Sequence, residues 1–232
     1  MSQTIIIVAG LVTFAVVMLV SEVLSARRFA RMRSSLEHGH QRHHDHARGL
    51  RQSADRLRTI DAVISDVDGV LTDGGIVRFA DGTGGRVFNC KDGLGHTLLR
   101  QAGVKLAWIS STKERGSLEV RGQDLKVTVI NTDPGPKDER LFRVCAQLGV
   151  EPARCAFIGD DLIDLSVLEH VGLFACPADA VPKVREVAHL VLEAPGGRGA
   201  FRELADLVLA HRPNRTAEEI EHRVEAVGVE ST

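Results

Sequence analysis

Two aspartates spaced two residues apart, Asp66 and Asp68, follow the apolar run Ala62-Val63-Ile64 and precede Gly69. In an extended strand, residues i and i+2 point to the same side, so the pair projects together where a buried strand ends. Such a pair suits a nucleophilic carboxylate beside an acid/base carboxylate, both near a cation. Alone, it would equally suit a strand-end turn with solvated side chains. Three further stretches change that balance. Ser110, Ser111 and Thr112 follow Leu106-Ala107-Trp108-Ile109, Lys137 heads a helical stretch, and Gly159-Asp160-Asp161-Leu162-Ile163-Asp164 closes a later apolar run. Phosphoryl transfer needs these parts: a nucleophile, a proton donor, hydrogen-bond donors for the equatorial oxygens, and cations to offset negative charge. Mg²⁺ takes a few carboxylates and keeps several waters. Asp66 and Asp160, with the backbone carbonyl of Asp68, can supply that set.

These groups meet only if the right elements carry them. From Thr59 onward, short apolar runs alternate with amphipathic stretches. The pattern predicts strands at Ile60–Asp66, Val104–Ser110, Val127–Ile130, Arg154–Gly159, Leu173–Cys176 and His189–Leu192. Helices are expected at Gly93–Gln101, Lys113–Leu125, Asp138–Leu148, Leu162–His170 and Ala200–His211. Ile76–Phe79 and Arg86–Phe88, around Asp81-Gly82-Thr83-Gly84-Gly85, read as a hairpin. Alternating strands and helices imply right-handed parallel crossovers. The fold class is therefore α/β, a three-layer Rossmann-like parallel sheet with a small β-hairpin insertion, and such sheets place ligands at the carboxyl ends of their strands. Trp108 and Phe157 are core candidates, and His96 is a surface or packing residue of its helix.

In order and spacing, the four stretches resemble the motifs of the haloacid dehalogenase superfamily of aspartyl-phosphate hydrolases. Asp-Val-Asp-Gly-Val-Leu-Thr-Asp-Gly matches the first motif, Ser110 the second, Lys137 the third and Gly-Asp-Asp-x-x-Asp the fourth. The hairpin, the run Val87–Gly95 and the late Gly196-Gly197-Arg198-Gly199-Ala200-Phe201-Arg202-Glu203 look like the capless 3-deoxy-D-manno-octulosonate 8-phosphate phosphatases, over about Ile60 to Leu209. The resemblance implies that Asp66 is the nucleophile, that Asp68 protonates the leaving sugar oxygen and then activates water, and that Ser110 and Lys137 hold the phosphoryl oxygens. Crowding of like charge would favour the proton on Asp68. Mg²⁺ would be held by Asp66, Asp68 and Asp160, with Asp161 and Asp164 orienting the cation's surroundings and Lys137. Asp92, Ser111 and Arg198 are candidates for substrate contact, although Asp92 could instead cap a helix. The family assembles as a tetramer through its hairpins, and its glycine–arginine segment helps close a neighbouring site. Two departures stand out. The family usually continues its second motif as Gly-Arg, where this chain has Ser111-Thr112, and its usual fourth-motif asparagine is Ile163 here. Lys113 and Arg115 are the candidates to replace the missing guanidinium fork.

The 232 residues allow one domain plus appendages. From Ile5 to Val20 every residue is apolar except Gly10 and Thr13, close to the roughly 20 residues that cross a bilayer. No basic side chain precedes this run, and Arg27, Arg28, Arg31 and Arg33 follow it. That order favours a single-pass anchor over a cleaved signal peptide, with the body of the chain cytoplasmic. The expected organisation is a transmembrane anchor at 1–25, a basic His-rich linker at 26–58, a phosphatase domain at 59–212 and a polar tail at 213–232. The linker carries nine arginines against three carboxylates, which leaves about −7 for Thr59 onward. An acidic body argues against nucleic acid as a partner. The four cysteines show neither disulfide nor zinc spacing, which fits buried, reduced thiols. The leading functional expectation is a membrane-tethered, Mg²⁺-dependent hydrolase of a small sugar or sugar-acid phosphate. A tethered phospho-ligand-binding scaffold and an aspartyl-phosphate phosphotransferase are the competing readings.

Overall fold

The structure, a computed structural model, describes residues 46–212. The expected anchor at 1–25, the linker before residue 46 and the tail at 213–232 lie outside the described residues. Among the described residues, no helix is long and apolar enough to cross a membrane.

Six parallel strands form the central sheet: β1 (Ala62–Ser65), β4 (Lys105–Ile109), β5 (Val129–Asn131), β6 (Cys155–Ile158), β7 (Leu173–Cys176) and β8 (Leu190–Val191). Their order is β5-β4-β1-β6-β7-β8, so the strand leading to Asp66 lies at the centre, flanked by those leading to Ser110 and Asp160. Strand alternation sends successive side chains to opposite layers. Val63, Leu106, Trp108 and Ile158 join one buried cluster with Leu57, Leu99, Leu118, Phe201 and Val208 of the helical layer. Ala62, Ile64, Ala107 and Phe157 join the other, with Leu141, Val144 and Leu148. The first layer holds α1 (residues 46–58), α2 (Cys90–Gln101), α3 (Gly116–Asp124) and α6 (Ala200–His211); the second holds α4 (Lys137–Leu148) and α5 (Pro182–Val187). Trp108 and Phe157 are core, as expected. His96 is buried as well, accepting from Trp108 Nε1 at 3.0 Å and stacking on Phe201.

Several elements depart from the sequence pattern. Residues 46–58, the later part of the 26–58 stretch, are helical and seated on the domain: Ser53 Oγ donates to the His189 carbonyl, Arg56 to that of Gly172, and Leu57 is fully buried. The hairpin pairs β2 (Val77–Arg78) with β3 (Gly84–Gly85), not with Arg86–Phe88. Arg86 is instead turned into the cleft, and Phe88 stacks on Trp108. The helix expected at Leu162–His170 is a 3₁₀ turn, Leu162–Val167. Its start is tightened by Asp161 and Asp164, whose side chains cap the turn reciprocally. Helix α3 begins at Gly116 rather than Lys113. Cys145, Cys155 and Cys176 are buried free thiols, but Cys90 is exposed at the start of α2.

Candidate active site

Asp66 and Ser110 are each the first residue beyond a strand, β1 and β4, and these strands pair in register with Ser65 opposite Trp108. Asp160 follows β6, the other neighbour of β1, by two residues. Lys137 is the first residue of α4, and its buried side chain reaches back over the sheet tips. Its ammonium lies 2.8 Å from Asp66 Oδ2 and 2.5 Å from Asp164 Oδ1. The other oxygen of Asp164 accepts from the backbone amides of Asp160 and Asp161 at 3.0 and 3.1 Å. Asp164 thereby fixes both Lys137 and the turn that presents Asp160. The approach of Asp160 depends on Gly69, whose φ is +92°: a Cβ there would lie 2.1 Å from Asp160 Oδ2.

The charges in this cluster do not balance. Oxygens of Asp66, Asp160 and Asp164 lie within 4.8 Å of one another around the single ammonium of Lys137. Burial, then the Asp164 carboxylate, raises Asp66 to about 6 against the pull of Lys137. Burial, then Asp66 and Asp164, raises Asp160 to about 7. Burial opposes the charge on Lys137, but Asp66 and Asp164 outweigh it and hold the ammonium above the ordinary lysine value. Asp160 Oδ1 is buried without a hydrogen-bond partner, which is costly unless something binds it. An all-oxygen donor set with surplus negative charge and one orphaned oxygen fits a hard divalent cation. Asp66 and Asp160 have oxygens to offer it, whereas both oxygens of Asp164 are already engaged.

Asp68 stands apart from this cluster. Its carboxylate is gripped by Arg86, with Nε donating to Oδ1 at 2.7 Å and Nη2 to Oδ2 at 3.2 Å. The crowding by like charge expected around Asp68 is therefore replaced by a guanidinium, because the hairpin delivers Arg86 to the mouth of the cleft. Asp68, Arg86, Thr112 and Glu114 line one side of a cavity of about 200 Å³, and the hairpin residues Ile76 to Arg78, Gly84 and Gly85 line the other. Asp68 is the one acidic group of the first motif that lines this cavity, which is large enough to take a small leaving group.

The remaining expected residues lie elsewhere or act differently. Asp92 is buried, and its carboxylate accepts from the amides of Gly199 and Arg202 at the start of α6. Asn89 caps α2 instead. Asp161 caps the 3₁₀ turn through the amide of Leu162 and is exposed. Arg198 is exposed on the glycine-rich strap, whose backbone docks on the loop after β1 through Gly197 N and the Val70 carbonyl, 2.8 Å apart. Ser111 Oγ accepts from Arg140 Nη1 at 3.2 Å. Lys113 and Arg115 are exposed and do not replace the missing fork. Sequence reasoning missed two arginines. Arg140 is fully buried under the second motif and donates to the Ser110 carbonyl and to both the side chain and carbonyl of Asn131. Its i,i+3 spacing from Lys137 on the buried face of α4 is a signal that could have found it. Arg86 carries no such signal, since its partner is 18 residues away across a hairpin.

Comparison with known proteins agrees with this geometry. A family model described as haloacid dehalogenase-like hydrolase matches residues 118–199. The 3-deoxy-D-manno-octulosonate 8-phosphate phosphatase of Haemophilus influenzae is 36% identical over 154 residues, 66% of this chain and 85% of that protein. Among solved structures, a probable YrbI family phosphatase from Pseudomonas syringae superposes with a TM-score of 0.70 at 36% identity, covering 76% of this chain and 98% of the other. The 3-deoxy-D-manno-octulosonate 8-phosphate phosphatase of Moraxella catarrhalis, solved with a magnesium ion, a phosphate ion and the sugar acid, gives 0.66 at 32% identity, covering 69% and 92%.

Proposed function

We propose that this chain, which belongs to the haloacid dehalogenase-like hydrolases and is a phosphatase, hydrolyses the phosphomonoester of a small sugar acid of the 3-deoxy-D-manno-octulosonate 8-phosphate kind. The observation that carries this reading is the Lys137 ammonium bridging Asp66 and Asp164 beside the orphaned oxygen of Asp160. The names of the relatives supply the substrate class.

The Asp66 carboxylate attacks phosphorus, and the bond from phosphorus to the sugar oxygen breaks. Asp68 gives its proton to that oxygen, and the sugar leaves as an alcohol. Water then attacks the aspartyl phosphate, Asp68 takes the water's proton, and Asp66 is released with inorganic phosphate. Dividing one displacement into two lowers each barrier, and Asp68 serves as acid and then base. Lys137 and Ser110 hold the phosphoryl oxygens while Arg140 keeps the Ser110 backbone in place. Mg²⁺ is the cofactor whose donor set the cluster provides; bound there, it offsets the repulsion between Asp66 and a phosphate dianion.

The same reading tethers the domain to a membrane through residues 1–25. It also assembles the domain as a tetramer through its hairpins, where Ile76, Phe79 and Val87 are exposed. In assays with Mg²⁺, the chain should release phosphate from 3-deoxy-D-manno-octulosonate 8-phosphate and from p-nitrophenyl phosphate. Asp66→Asn should cut both rates by about 10³-fold or more. Full activity in that variant would remove the nucleophile from this scheme.

A further inference from the structure

The two catalytic carboxylates are held by two different cations, and the second cation has no place in the motifs. We infer that Arg86, the residue following β3 of the hairpin, is the positioning residue that aims the Asp68 carboxyl at the departing sugar oxygen; this rests on the phosphatase reading above.

The direction of control follows from how each partner is held. The Arg86 side chain is almost fully buried, at 7% exposure, while the Asp68 side chain is 43% exposed. Every N–H of Arg86 has an acceptor. Nε and one Nη2 hydrogen grip Asp68, the other Nη2 hydrogen goes to Thr112 Oγ1 at 2.5 Å, and Nη1 donates to the Glu114 carbonyl at 2.9 Å and to Ser117 Oγ at 3.1 Å. Three of these five bonds tie Arg86 to the segment from Thr112 to Ser117. The planar fork is therefore fixed before it meets Asp68, and a half-exposed carboxylate free to choose rotamers is held to one. With no N–H left over, Arg86 has no donor to offer the substrate, which makes positioning its role. Each carboxyl oxygen has two acceptor directions, so the bidentate grip still leaves one on each oxygen for the proton in transit.

The grip also fills the gap in the second motif. At the position where the family usually has an arginine, this chain has Thr112, and Thr112 is a ligand of Arg86. A guanidinium is thus restored beside the second motif from another segment, and it is directed at Asp68. The hairpin thereby becomes part of the proton-transfer machinery as well as one wall of the cavity.

The test separates leaving groups. A sugar alkoxide needs a proton to depart, whereas p-nitrophenolate leaves as a stable anion, and kcat/KM reports only the steps through leaving-group departure. Arg86→Ala should lower kcat/KM for 3-deoxy-D-manno-octulosonate 8-phosphate by about 10²-fold and that for p-nitrophenyl phosphate by a far smaller factor. Arg86→Lys should recover part of the loss. On an Asp68→Asn background, Arg86→Ala should cost nothing further, because the two residues act as one unit. Equal losses on both esters, no loss on the sugar phosphate, or additive losses in the double variant would overturn the inference. An unaltered chain that cleaves neither ester would instead overturn the phosphatase reading beneath it.

Discussion

One ammonium among three carboxylates sets the charge state of the cleft, and the consequence is measurable. In the folded chain Asp160 rises to about 7, above the ordinary 3.8, because of burial and then the neighbouring Asp66 and Asp164. A raised carboxyl favours the folded state while protonated and penalises it once ionised, so this contribution is lost as pH rises from about 4 to about 7. Without metal, Asp160→Asn should therefore raise the urea midpoint at pH 8 and change it little at pH 4. Added Mg²⁺ should stabilise the parent chain and not the variant. An EDTA-treated variant less stable than its parent at pH 8 would contradict the unbalanced-charge account. Arg140 is the opposite case, a buried cation whose partners are all neutral oxygens. Arg140→Met should cost about 2–4 kcal/mol in chemical unfolding, since it strands the Ser110 carbonyl and Asn131, and it should lower kcat by loosening Ser110. At this scale the sequence exposed the groups that lie on strand tips, Asp66, Ser110 and Asp160, because a short apolar run followed by a polar residue is a local signal. Arg86 and the capping role of Asp92 stayed hidden because each depends on a contact across the fold.

Elements were legible where burial on both faces produced a continuous apolar run, as in β1, β4, β6 and β7. They were less legible where side chains override local propensity. The 3₁₀ turn after β6 exists because Asp164 folds back onto the amides of Asp160 and Asp161, and periodicity carries no trace of that. Two predictions belong here. Asp92 ties α2 to α6 by accepting from the first amides of α6. Asp92→Ala should thus behave as a lost cap, costing about 1–2 kcal/mol in unfolding with kcat/KM almost unmoved; a large fall in kcat/KM without destabilisation would return Asp92 to the substrate. Gly196 belongs to the strap that presses on the loop after β1. A Cβ there would meet the Gly69 carbonyl oxygen at 1.9 Å, and backbone cannot step aside as a flexible side chain can. Gly196→Ala should lift the strap, displace Gly69 and with it Asp160, and reduce kcat/KM by up to about 10²-fold. Limited proteolysis at residues 194–199 should accelerate in parallel.

On the scale of the whole chain, charge is divided as sharply as structure. A run of nine arginines with three carboxylates lies at 26–58, five residues after the sixteen at 5–20 of which only Gly10 and Thr13 are not apolar, and the acidic remainder follows. From His46 the basic stretch is helix α1 and sits on the domain; in the proposal of an anchor at 1–25, about twenty residues of sequence would join that anchor to the domain. Anionic headgroups attract such arginines at about 1 kcal/mol each near the surface, which would draw the domain close to the bilayer and hold the anchor's carboxyl end on the cytoplasmic side. The full chain should therefore sediment with membranes and resist extraction by high salt. A chain lacking residues 1–25 but retaining the arginines should bind anionic vesicles weakly and be released as ionic strength rises. A reporter fused after Thr232 should remain cytoplasmic. Export of that reporter would invert the topology, and salt extraction of the full chain would reduce the anchor to an electrostatic attachment.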